Sequence, residues 1–99
     1  MKKIGKMVNH IHEEICDAKK YAELYIENKV DGQMDVANTF KSMAQDELKH
    51  SEFWHTLAVA MIEKIRTVYT PPMDMQEKWD KTHQEFIESV AEVKRMLTM

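Results

Sequence analysis

Apolar residues recur every three or four positions along most of this chain, and that spacing predicts three long helices. The first runs from about Lys2 to Lys29, with Ile4, Met7, Val8, Ile11, Ile15, Ala18, Ala22, Tyr25 and Ile26 on its apolar side. Asp31-Gly32 stops it, the glycine supplying a left-handed cap. The second helix starts near Met34 or Asp35 and carries Phe40, Met43, Ala44, Leu48, Ser51, Trp54, Leu57, Ala58, Met61, Ile62 and Ile65. It ends before Thr70-Pro71-Pro72, because proline lacks a backbone donor and restricts the residue before it, so the helical hairpin spans 2–69. The third helix spans roughly Asp74 to Leu97, with a stripe of Trp79, His83, Phe86, Val90, Val93 and Leu97.

Two glycines and two prolines in 99 residues cannot punctuate a many-stranded sheet. The expected fold is therefore all-α, one domain over 1–99, built as a long antiparallel helical hairpin plus a third helix. At 1.5 Å per residue the second helix alone reaches roughly 50 Å, longer than a compact globule of this size. Helices of that length with wide apolar faces need more partners than one chain supplies. A homodimer or higher homo-oligomer that completes a four-helix bundle is the expected solution.

Charge and composition remove several classes. A net charge of −3 and a pI near 5.9 leave no electrostatic footprint for nucleic acid. No apolar run has the length of a signal peptide or a membrane span, so no membrane partner is expected and the default compartment is cytoplasmic. The single cysteine, Cys16, excludes an internal disulfide and a Cys-x-x-Cys metal knuckle, and reads as a small interior or partly exposed thiol. Nine methionines supply flexible apolar filler.

The chemistry lies in two stripes. Gln45-Asp46-Glu47-Leu48-Lys49-His50 holds a Glu-x-x-His pair, and residues three apart on a helix share a face. Glu47 and His50 sit in the row Phe40, Met43, Glu47, His50, Trp54, Leu57, Met61. Glu14, 33 positions before Glu47, sits in the row Met7, Ile11, Glu14, Ala18, Tyr21, Tyr25. A charge inside an apolar stripe costs several kcal/mol unless it is paired or bound to a metal. Glu14 lies about 17 residues before the turn and Glu47 about 15 after it, which puts them at one level on antiparallel helices. Two copies related by a two-fold axis would supply two Glu14 and two Glu-x-x-His pairs, the ligand set of a di-iron carboxylate bundle.

The segment from Glu14 to Tyr21, followed by Gln45 to His50, resembles the first half of a ferritin-like protein of the rubrerythrin pattern. There a ligand glutamate precedes a tyrosine by seven residues and a Glu-x-x-His by about 33. The resemblance covers roughly residues 4–65. It departs in one respect: nothing after Pro72 repeats the glutamate and the Glu-x-x-His, and no Cys-x-x-Cys provides a rubredoxin centre. What remains is similar to the half-length encapsulated ferritins, which build their iron site across a dimer interface. The tail Met96-Leu97-Thr98-Met99 is too short and plain to decide whether a protein shell packages the chain.

The resemblance implies a ferritin-like bundle completed by dimerisation and ferroxidase activity, with Fe(II) held by Glu14, Glu47 and His50. Glu47 would bridge two irons, Glu14 would bind terminally and His50 would supply nitrogen. Such a set also suits Mn(II) or Zn(II). Tyr21 and Asp46 are the expected hydrogen-bonding support for the ligands. Around them, His10, His12 and His55 read as surface, His83 as a satisfied core histidine, and Glu13 as off the apolar row. The rival readings are a metal-free helical interaction or regulatory module and a di-metal oxidase or peroxidase.

Overall fold

The first reversal of the chain is set by backbone hydrogen bonds around one glycine. Gly32 has a positive φ of 76°, its amide bonds to the Lys29 carbonyl at 3.1 Å, and the Gln33 amide reaches back to the Asn28 carbonyl at 2.8 Å. These are the paired bonds of a Schellman cap, which needs a left-handed residue where a side chain is strained. Gly32→Ala is expected to lower stability by about 1 kcal/mol, read as a shift in the urea midpoint. An unchanged midpoint would mean the turn is not under this constraint.

In the computed structural model, which describes residues 2–68 and 70–99, α1 spans Lys2–Val30, α2 Met34–Arg66 and α3 Met73–Met96. The all-α fold is as expected. α2 stops short of the expected end at 69, because the amides of Thr67 and Val68 bond to carbonyls three residues back. The Thr67 hydroxyl also donates to the Lys64 carbonyl at 2.6 Å, so the helix tightens and closes before the prolines. Position 69 itself lies outside the described residues. α3 then begins directly behind Pro72, whose carbonyl accepts from the amides of Met75 and Gln76.

α1 and α2 run antiparallel, and α3 returns alongside α1, so that Lys29 near the end of α1 donates to the carbonyl of Met99. The result is a rod 55 Å long and 17 Å across. Its core joins Ile11, Ile15 and Tyr25 of α1, Leu48 of α2, and Val90, Val93, Met96 and Leu97 at the end of the chain. Five fully buried alanines, Ala18, Ala22, Ala37, Ala44 and Ala58, thread through it. Helix axes approach more closely where facing side chains are small.

α3 covers one side of the hairpin only. The groove between α1 and α3 is lined by Val8, His12, Ile15 and Phe86, and that between α2 and α3 by Lys41, Leu48, Glu52 and Lys94. Ion pairs fasten α3 on that side, Lys19–Glu92 at 3.5 Å and Lys94–Glu52 at 3.5 Å. The opposite side, with Met7, Tyr21, Phe40, Met43, Trp54 and Met61 half-buried and Leu57 exposed, has no cover among the described residues. Among the described residues no helix is long and apolar enough to cross a membrane.

Candidate metal centre

Glu14 comes from the middle of α1, and Glu47 and His50 from the middle of α2, all on the side of the hairpin that α3 leaves open. The three-residue interval turns Glu47 and His50 to one face, and antiparallel pairing brings Glu14 to the same level. One donor atom from each lies within 4.8 Å of the others. The Nδ1 of His50 is the point of convergence, 3.7 Å from a Glu14 carboxylate oxygen and 3.8 Å from one of Glu47. Ligands of a single transition metal stand about 2 Å from it, so small side-chain rotations suffice to close these atoms around an ion. Two carboxylates and one imidazole fit iron, manganese or zinc.

The expectation of burial needs correction. The side chains of Glu14 and Glu47 keep 22% and 20% of their exposure, and His50 keeps 58%. The periodicity correctly marks an apolar row, but α3 packs against the other face, so this row remains open to solvent in the single chain. The three residues are thus partly hydrated, and no ion is needed to make the isolated chain's fold tolerable.

The aromatic surroundings are arranged along the same face. Tyr21 and Phe40 stack toward the turn, with ring centroids 6.3 Å apart. Toward the other end, the His10 ring lies flat on Trp54, 4.4 Å between centroids and 9° between planes. His10 precedes Glu14 by four residues and Trp54 follows His50 by four, so one helical turn on each antiparallel strand puts them level. His10 is therefore not plain surface, and the antiparallel register is what pairs it with Trp54. Glu13 stays off the site and pairs with His10 at 3.9 Å. Asp46 is exposed, one position off the row, and is not part of the converging group. Tyr21 is half-buried and its ring packs on Phe40, a wall of the site.

His55 is a second correction. It is half-buried, because it belongs to the face of α2 that meets α3, and its Nε2 lies 2.7 Å from Nδ1 of His83. His83 is satisfied by this contact, in keeping with its place on the α3 stripe. Burial, and then the neighbouring His83, hold the pKa of His55 below the usual imidazole value. Cys16 is exposed, with its sulfur 3.6 Å from the His12 ring.

Comparison with curated proteins finds no significant match, and comparison with solved structures finds none. The rubrerythrin family profile, by contrast, matches residues 7–98, which takes in α1 from Met7 onward, all of α2 and α3, and every residue of the converging group. With nearly the whole chain matched and two carboxylates and an imidazole gathered on a helical hairpin, the chain belongs to the rubrerythrin family.

Proposed function

We propose that this protein binds and oxidises Fe(II) at a di-iron site formed across a homodimer interface. The observation that carries the reading is the convergence of Glu14, Glu47 and His50 within 4.8 Å on the uncovered face of the hairpin. A second copy laid on that face would bring a second triad opposite the first and complete a four-helix bundle. Its burial would remove the water that now reaches His50. A face 55 Å long and 17 Å wide offers on the order of 900 Å² per partner, the size of a specific, stable interface.

In this reading iron is the substrate. Glu47 would bridge the two ions, Glu14 would bind at one end, and the His50 of each copy would supply nitrogen. Four carboxylates offset the ferrous charge and favour the ferric product, whose greater charge they bind more strongly. Each Fe(II) gives up one electron, and dioxygen or peroxide accepts it. Tyr21, Phe40 and Trp54 then limit access of bulk water along the bundle. The apolar cavity near Ile4, Ile62 and Trp79 is at the proline end and none of the three donors lines it, which favours oxidation of the metal over that of an organic molecule.

The test is an anaerobic Fe(II) titration with the mass measured in parallel. Uptake is expected to saturate near one ion per chain in a dimer, followed by a rise in near-ultraviolet absorbance of ferric iron on admitting air. Saturation without any aerobic change would remove the oxidation step, and no uptake at all would remove the site.

A further inference from the structure

The two halves of α3 are held in different ways. Val90, Val93 and Met96 are buried, as is Leu97 just beyond, whereas from Met75 to Phe86 no residue is. The first half is held mainly by one stacked cluster, whose Trp79 and Phe86 pack against the edge of the core. The His55 ring from α2 lies against Phe86, with centroids 4.1 Å apart and 7° between planes, and beside Trp79 at 5.8 Å. At its centre the His55 Nε2 and His83 Nδ1 stand 2.7 Å apart. Two ring nitrogens approach so closely only when one carries a hydrogen and the other offers a lone pair. Beneath the cluster is an apolar cavity of about 150 Å³ lined by Ile4, Val8, Ile62, Ile65, Met75 and Trp79. Atoms facing such a void lack packing partners on one side. Outside the cluster, one further tie reaches this half from α2, a hydrogen bond donated by the Arg66 guanidinium to the Gln76 side-chain carbonyl.

We propose that the N-terminal half of α3 is a pH-gated flap, latched over the apolar cavity by the neutral His55–His83 pair and released when both imidazoles carry a full proton load. Release leaves the C-terminal half docked through Val90, Val93 and Met96. The hairpin and the three converging side chains on its far side stay in place.

The surrounding charges do not cancel the effect. On α2, Glu52 lies one turn before His55 but its carboxylate is engaged by Lys94 at 3.5 Å. The groove between α1 and α3 presents His12, Lys19 and Glu85, and Lys78 stands at the cavity. Lys19 is paired with Glu92, and Glu85 lines the groove on the α1 side of the flap. The direction follows from proton linkage. A latched His55 titrates below the ordinary imidazole value of about 6.5, so the open form binds more protons between the two values. The latch is therefore complete above pH 6.5 and weakens as pH falls below it.

Amide hydrogen exchange resolved along the chain, corrected for the intrinsic pH dependence, tests this at pH 7.5 and 5.5. Protection between Met75 and Ile87 is expected to fall by up to about tenfold, the limit set by pH 5.5 lying one unit below the ordinary imidazole value, while 90–96 keeps its protection. Emission of Trp79, isolated in a Trp54→Phe background, should shift to the red over the same range. In a His55→Gln/His83→Gln variant both responses to pH should vanish, whether the flap starts closed or open. Equal loss of protection in both halves of α3, an unchanged profile, or a pH response that survives the double substitution would overturn the proposal.

Discussion

Glu47→Ala is expected to weaken Fe(II) binding by about a hundredfold or more, since even groups that only support a ligand are worth ten- to a hundredfold. Glu47 is one of the two carboxylates within reach of the His50 imidazole, and its removal leaves His50 with one instead of two. His50→Ala should have a similar effect, because the imidazole nitrogen is the atom on which both carboxylates converge. Neither change disturbs the fold: His50 keeps 58% of its exposure and Glu47 is on the uncovered side. Circular dichroism should thus be unaltered while isothermal titration loses its binding heat. Uptake that persists in both variants would transfer the site elsewhere, and a variant that gains stability while keeping a protein partner would favour the metal-free module.

Leu57→Arg is expected to convert the proposed dimer into monomers. Leu57 is seven residues beyond His50 on the open row and remains exposed in the single chain, so an arginine there is harmless to the monomer. In a dimer the same position is covered. An unpaired guanidinium then loses its hydration, which costs about 3–5 kcal/mol per broken or unmatched buried charge and more than a hundredfold in association. Sedimentation of the wild type and the variant, each with and without Zn(II), reads this directly. Metal should tighten the wild-type dimer, because ligands from both copies are satisfied only when joined. A wild type that sediments as a monomer even with metal would sink the interface.

Much of this arrangement is legible in the residues. The period of apolar positions locates three helices, Gly32 marks the cap, and the rows through Glu14 and Glu47 place the donors at one depth. Two things escape it. A periodic row says that a face is apolar but not which neighbour covers it, so the openness of His50 follows only from where α3 packs. α2 in addition has two working faces, one uncovered and one against α3. Reading a single stripe assigns His55 to the surface, when residues 48, 51, 55, 58 and 62 form the second row. The stacking of His10 on Trp54 was hidden for a similar reason, since each residue is ordinary alone and only the antiparallel register pairs them.

The five interior alanines carry one more implication. Ala18 and Ala44, both fully buried, lie about one turn from the donors on α1 and α2, and small side chains let helix axes approach closely. If the proposed site holds an ion, its affinity would be governed at a distance, by residues that never contact the ion but fix how far apart the two walls stand. Sequence drift at these alanines would therefore erode chemistry before it erodes the rod itself.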